Sequence, residues 1–316
     1  QVTDEATVTV AGEGTYTIDQ ATGKVTFKPE PGFTGTANGV TVSVTAPVGR
    51  DKDGNVPADA LKTATAKYTP TVTPITLTPT NKVSEDVQNV PQTQTPTFEL
   101  SNDKTAEITS KKLVDPATGQ PTDATTVTVA GEGSYTIDPT TGAVTFVPEK
   151  DFVGTAKGVT VQATATIKNE DGKTTTITAD ATYTPTVVPA VPTAQPAKSI
   201  DVQGATQKGK PTFEGTTVTV NGEQKPVTIK ENSYTLVDKD GNEVTSTPAY
   251  AEDGTTVIGT HTIDPTTGEV TFTPTDKSYS GKVTPVSVQA ESSNGIKVST
   301  RSEEHTSELQ SLRRIS

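Results

Sequence analysis

The 316-residue chain contains no cysteine, methionine or tryptophan, and aromatic side chains make up only 4% of it. Without thiols it has no disulfides, no cysteine metal site and no thiol nucleophile. Positive charge is scarce as well, with 26 Lys and Arg against 38 Asp and Glu. Phosphate backbones are bound by clustered basic side chains, so nucleic acid is not an expected partner. No stretch approaches the roughly 18 consecutive apolar residues of a membrane helix, and no charged head precedes an apolar run at the N-terminus. Membrane insertion is not expected in this segment, and any export or anchoring signal is expected outside it.

What the chain does have is threonine, 66 residues of it. Threonine is β-branched and stiff at χ1, and it favours strands. Combined with 25 Gly, 23 Pro and a hydrophobic share of only 30%, it points to thin all-β domains rather than a large enzyme core.

The last sixteen residues depart from this composition, since 301–316 hold three of the four Arg and one of the two His. Arg301-Ser302-Glu303-Glu304-His305-Thr306-Ser307-Glu308-Leu309-Gln310-Ser311 also looks like the translated reading of a common short-read sequencing adapter. A non-native tail is therefore expected over 301–316. Leu309, Leu312 and Ile315 would suit an amphipathic helix as the alternative. Setting the tail aside leaves His261 as the only histidine, which removes Ser/His/Asp and His-cluster zinc arrangements.

Internal repetition organises the rest. Thr7-Val8-Thr9-Val10-Ala11-Gly12-Glu13-Gly14-Thr15-Tyr16-Thr17-Ile18-Asp19 returns at Thr126 to Asp138 with one change, Thr15 to Ser134. Thr136-Ile137-Asp138-Pro139-Thr140-Thr141-Gly142 returns again at Thr262 to Gly268. Asp86-Val87-Gln88, Gln92 and Pro96-Thr97-Phe98 recur at Asp201-Val202-Gln203, Gln207 and Pro211-Thr212-Phe213. Aligned in this way, 1–77 is a repeat without its opening strands, 78–190 is complete, and 191–300 is a divergent repeat expected to lack its last strand. Pro-rich joints at 69–79 and 184–196 read as semi-rigid spacers.

Apolar residues alternate with threonine at Val127 and Val129, Tyr135 and Ile137, Val144 and Phe146, and Val159 and Val161. A period of two means strands with one buried face. Asp138 to Gly142 has the residues of a hairpin turn, as do Asn169 to Gly172, Asp51 to Asn55 and Asp238 to Asn242. Ala58 to Lys67 could pass for a helix alone, but its counterpart Thr174 to Thr178 is strand material, and repetition overrides the local signal. Six to eight strands per repeat predict tandem immunoglobulin-like antiparallel β-sandwiches in an elongated array.

These motifs, together with Phe152-Val153-Gly154-Thr155-Ala156 and Tyr183-Thr184-Pro185-Thr186-Val187, resemble the CshA-type fibril repeat of streptococcal surface adhesins, over all but the tail. The resemblance implies a wall-anchored Gram-positive surface protein whose tandem repeats form a stalk beneath an adhesive region. The implied partners are neighbouring repeats of the same chain and, through the parent protein, host matrix or salivary glycoproteins. The third repeat departs from the pattern at Gly259-Thr260-His261-Thr262 and across 221–254, which puts its register in question.

Candidate sites are few. Asp51-Lys52-Asp53-Gly54-Asn55 and Asp238-Lys239-Asp240-Gly241-Asn242 alternate oxygen ligands as a calcium loop does, but glycine falls fourth rather than sixth, which favours a plain turn. Glu149 with Asp151, or Glu30 alone, could suggest a glycosidase dyad, yet the copies do not share the pair. His261 stands where Tyr16 and Tyr135 stand and reads as a packing residue. A Lys–Asn isopeptide bond would suit a cysteine-free surface domain, but no such constellation recurs. Tyr16, Phe27, Phe33 and Tyr68 could line a ligand surface, but their alternation with threonine marks them as core. No catalytic, cofactor-binding or metal residue is expected, no cofactor is implied, and ligand residues stay unassigned. A structural stalk is the expected function, with repeats that themselves bind glycoproteins or like repeats as the alternative, and an enzyme is not expected.

Overall fold

The computed structural model describes residues 6–168 and 172–307. In the first repeat, β1 (Thr7–Val10), β2 (Gly14–Ile18) and β3 (Val25–Pro29) form an antiparallel meander in which Val8, Tyr16 and Phe27 lie side by side. The strands β4 (Gly35–Thr36) and β7 (Thr71–Val72) make a short pair, and β5 (Val40–Pro47) pairs with β6 (Leu61–Tyr68). Of the stretch with helical character only Ala58–Ala60 is helical, as one 3₁₀ turn, and the rest is strand.

The second repeat runs through β8 (Leu77–Thr80), β9 (Lys82–Val87), β10 (Gln92–Gln94), β11 (Thr97–Leu100), β12 (Ala106–Leu113), β13 (Thr126–Val129), β14 (Gly133–Ile137), β15 (Val144–Pro148), β16 (Gly154–Thr155), β17 (Val159–Lys168) and β18 (Thr174–Val188). One sheet has the order β10-β15-β14-β13 and the other β12-β17-β18-β16, with β9 joined in parallel to the end of β18. An antiparallel sandwich whose opening strand runs parallel to its closing strand is immunoglobulin-like. Eleven strands replace the expected six to eight because several are only two to four residues long. The hairpin signal Asn169–Asp171 lies outside the described residues.

The third repeat comprises β19 (Thr193–Gln195), β20 (Ala197–Val202), β21 (Gln207–Gly209), β22 (Thr212–Glu214), β23 (Thr216–Val220), β24 (Glu223–Val227), β25 (Thr235–Val237), β26 (Glu243–Val244), β27 (Ser246–Tyr250), β28 (Val257–Ile263), β29 (Val270–Pro274), β30 (Gly281–Lys282), β31 (Val286–Glu291) and β32 (Lys297–Ser307). Its sheets, β21-β29-β28-β27 and β20-β32-β31-β25-β26, reproduce those of the second repeat, with β23 and β24 as a separate hairpin. The register survives the sequence divergence, since His261 faces Phe272 as Tyr135 faces Phe146.

The closing-strand position of this repeat is occupied, although the sequence pattern of the repeat stops at Thr300, because the segment that follows takes that place. Strand β32 runs through Ser307 and lies between β20 and β31. Backbone pairing on both edges does not depend on side-chain identity. Ser302, Glu304 and Thr306 point inward, where the second repeat has Tyr183, Pro185 and Val187.

By contact density the described residues divide into two compact bodies, one made of 6–80, 97–112, 161–168 and 172–181, the other of 81–96, 113–160 and 182–307. The division runs through the second repeat, because β17 and β18 are long enough to contribute to both bodies.

The repeated Gly-Glu-Gly has a steric cause. Gly133 sits at φ +150°, and a Cβ there would lie 2.2 Å from the Val147 carbonyl oxygen; Gly14 meets the Lys28 carbonyl in the same way. Only glycine lets the hairpin strands approach this closely.

Coverage separates the first two repeats. Strand β17 alternates buried and half-buried residues, whereas the matching β5 is open, with Val44 62% exposed. Phe146→Ala is therefore expected to cost about 3–5 kcal/mol, and Phe27→Ala, at the half-buried equivalent, clearly less. Hydrogen-exchange free energies of β14–β15 and β2–β3 measure the two, and equal losses would contradict the coverage argument. By the same reasoning residues 78–190 should fold alone while 1–75 should not, and dispersed amide NMR peaks from 1–75 would refute this.

Candidate functional site

The repeated polar motifs hold the fold together. Glu13 lies buried at the turn between β1 and β2 and reaches the loop ahead of β5, where its Oε1 accepts from Asn38 N (2.8 Å) and Asn38 Nδ2 (2.5 Å) while its Oε2 accepts from the Tyr16 hydroxyl (3.1 Å). Glu132 repeats this staple, with both carboxylate oxygens on Lys157 N at 3.0 and 3.1 Å. A carboxylate that gathers backbone N–H groups ties two loops together. In the third repeat Ile258 takes this place and is buried within an apolar cluster.

The Asp-initiated turns are equally self-contained. Asp138 Oδ1 accepts from Thr140 N (2.8 Å) and Thr141 N (3.3 Å), and Asp19 and Asp264 do the same in their repeats. Backbone donors hold all three carboxyls below the usual aspartate range. Asp51 and Asp238 use Oδ1 to accept from the second and fourth amides that follow, at 2.8–2.9 Å. Their carboxylates close the turn and do not converge with other acids, and no group of metal-ligating residues occurs among the described residues.

Gln92 and Gln207 knit the opening strands to the closing one. Gln92 Oε1 accepts from Ser84, and its Nε2 donates to Thr186 O at 2.9 Å. Gln207 Oε1 accepts from Ser199 at 2.9 Å, and its Nε2 reaches His305 O at 3.4 Å. The recurrence of these glutamines was visible in the sequence, but their bridging role was not.

Of the four aromatics read as core, Tyr16 is buried, Phe27 and Phe33 are half-buried, and Tyr68 is exposed. Tyr135 stands 4.7 Å from Phe146 and 6.3 Å from Tyr183, ring centre to ring centre, matched by Tyr16 with Phe27 (4.5 Å) and Tyr68 (6.3 Å). Tyr183 is 0% exposed under β9, where its hydroxyl meets Ser84 Oγ at 2.7 Å. Tyr68, which no such strand covers among the described residues, is 36% exposed. Burial pushes the Tyr135 and Tyr183 phenols up, so both stay neutral.

The remaining candidates are structural. Glu149 and Asp151 lie on an exposed turn, and Glu30 accepts from Gly12 N at 2.8 Å. His261 is buried on β28, packed 5.5 Å from Phe272, with Nε2 3.1 Å from Glu304 Oε2, and Ser302 donates to Glu304 Oε1 at 2.6 Å. The serine bonds the acid and not the histidine, and all three are buried, so this is not the geometry of a nucleophile and its base. A cleft of 260 Å³ lies among Lys28–Thr34, Val72–Ile75, Thr105, Ile167, Lys168 and Thr175. Two of its charged groups are engaged, Glu30 with Gly12 and Lys168 with Glu107 at 2.8 Å.

Sequence reading missed the hairpin β23–β24. Its signal was Asn221-Gly222 between alternating Val218, Val220 and Lys225, Val227, a pattern typical of a two-residue turn.

Tandem all-β repeats of immunoglobulin-like topology define a class of modular array proteins. The family model described as the surface adhesin CshA repetitive domain matches residues 1–72, 74–187 and 189–303. The chain belongs to this family, the repeat region of a surface adhesin, which places it outside the cell at the cell surface. No curated protein matches it. Among solved structures it is similar to mouse cadherin-23 EC22–24 (10% identity, 94% of this chain and 83% of that one, TM-score 0.30). It is also similar to the titin domains z1z2 in complex with telethonin (15%, 74% and 97%, TM-score 0.28). A third is the protocadherin gammaB7 EC3–6 cis-dimer (9%, 92% of this chain, TM-score 0.27), of which the chain spans 64% of the length. Likeness at these TM-scores adds nothing to the strand topology itself. No helix among the described residues is long and apolar enough to cross a membrane.

The Glu13 staple gives a pH test. The Asn38 N–H, opposed by burial and aided by the Tyr16 hydroxyl, holds the Glu13 carboxyl below the usual glutamate range. A lowered folded pKa means that its contribution is whole above the unfolded value of about 4.3 and is lost as pH falls through the lower folded value. In the full chain, the denaturation midpoint read at β2 and β3 should therefore be level from about pH 7 to 5 and decline below about 4. Glu13→Gln should decline less steeply, and superimposable pH profiles would contradict the assignment.

Proposed function

We propose that these repeats are stalk segments of a wall-anchored surface fibril, holding an adhesive region away from the cell. The observation that carries this reading is that the recurring turn carboxylates and the recurring glutamines at 92 and 207 are used inside their own repeats. The carboxylates of Glu13 and Glu132 bind loop backbone, the Asp19, Asp138 and Asp264 carboxylates close turns, and the Gln92 and Gln207 amides join strands. A repeated ligand site would instead turn its recurring groups toward solvent.

The exposed strand faces support the same reading. Thr9 with Thr15, Thr45 with Thr63, Thr93 with Thr145 and Thr126 with Thr136 pair across strands through their hydroxyls at 2.8–3.2 Å. Such pairs stabilise a sheet while offering little apolar anchor to a partner. With a net charge of −12 the chains also repel one another. The mechanism is geometric: each added repeat adds length.

The test is surface binding of folded protein, presented singly and as an array, to matrix glycoproteins, salivary glycoproteins and itself. Silence across the panel is the expected result. Saturable binding that strengthens with copy number would make the repeats adhesive in their own right, by multivalency.

A further inference from the structure

The third repeat carries an element the second lacks. Where the second repeat passes from β11 to β12 through Ser101–Thr105, the third inserts the hairpin β23–β24. It turns at Asn221-Gly222, both in the left-handed region at φ +50° and +82°, and its two strands pair with no larger sheet. A lone two-stranded hairpin is marginal in water, so its stability must come from what it packs against.

It packs against the second repeat. Val220 and Val227, with Val218 beside them, form one apolar cluster with Val87, Ala190, Val90 and Val188. Polar contacts ring this cluster. Asn221 N donates to Glu85 Oε2 at 2.6 Å, Asn221 Nδ2 to Glu85 O at 3.2 Å, and Lys225 pairs with Asp86. The turn between β31 and β32 adds a buried amide, in which Asn294 Nδ2 donates to both Gln88 O (3.1 Å) and Ala190 O (3.0 Å). Those two carbonyls lie just beyond the ends of β9 and β18, so one side chain spans the ends of both strands. The third repeat supplies the comparison within the same chain. Val87 is 2% exposed beneath the hairpin, whereas Val202, its counterpart at the matching end of the third repeat, is 39% exposed.

We propose that β23–β24 is an inter-repeat clamp, whose partner is the closing end of the preceding repeat, and that a repeat carrying it forms one cooperative folding unit with its predecessor. In arrays of repeats, stability is a sum of intrinsic and nearest-neighbour terms. A clamp of apolar core, ion pair and buried amide raises the neighbour term at this joint. The proposal goes beyond the stalk reading, because coupling is measured in the chain itself whatever the repeats do at the cell surface.

The experiment is hydrogen exchange on the full chain, comparing the native sequence with Val220→Asp, with Asn294→Ala, and with Val257→Asp at an exposed position as control. Val220→Asp should speed exchange about 10-fold or more, not only at Asp86–Val90 but in the second repeat's core strands β14 and β15. Asn294→Ala should act in the same direction, more weakly, and the control should leave the second repeat unchanged. If Val220→Asp unfolds the whole third repeat, coupling requires protection in β14 and β15 to fall with it. Protection there that stays at the native level, whether the third repeat survives or not, would overturn the proposal.

Discussion

The first two repeats depend on a contact of three aromatic side chains between their sheets. With aromatics so few, the chain places one ring on the strand after the Gly-Glu turn, one on its hairpin partner and one on the closing strand, as in Tyr135, Phe146 and Tyr183. Much of the remaining structure brings these rings together or covers them. The glycine before the first ring allows close strand approach, the Asp turn sets the register of the second, and β9 with Ser84 seals the third. The other two repeats show the consequence of altering this contact. Tyr68 lacks its seal and is partly open, and the third repeat keeps only Phe272, with His261 and Ser302 at the other two places.

The alternation of apolar residues with threonine specified the strands, their inward faces and the pairing of Tyr16 with Phe27, because period and turn chemistry are local properties. It could not report whether an inward face is covered. Val40, Val42 and Val44 read like the buried Val159 and Val161, yet Val44 is mostly exposed, since burial depends on strands distant in sequence. Composition likewise set Arg301–Ser307 apart from the rest, yet the segment lies in a sheet. Backbone hydrogen bonding accepts almost any non-proline sequence, and composition carries no information about an open slot between two strands.

The polar motifs show how a ligand-like composition can serve the backbone instead. Asp-Lys-Asp-Gly-Asn has the oxygen content of a cation site, but its first carboxylate is used by its own backbone amides. Short polar side chains in turns compete for local N–H groups before any ligand arrives. The same holds for Glu13 and Glu132, whose recurrence could be taken for function and is explained by loop anchoring. In a chain with little apolar surface, charge-assisted contacts to backbone supply order that a larger core would otherwise provide.

That shortage bears on the joints between domains. A repeat whose core is thinned, as the third is by His261 where the others bury a tyrosine, has less stability to hold alone. Apolar area buried against a neighbour stabilises both partners, at about 25 cal/mol per Å² removed from water, and asks nothing more of the weakened core. The valines of β23–β24 are that area, placed where the third repeat meets its predecessor rather than between its own sheets. Divergence that looks like decay when the third repeat is aligned with the others is, in the folded chain, a transfer of hydrophobic contact from within a repeat to the junction between two.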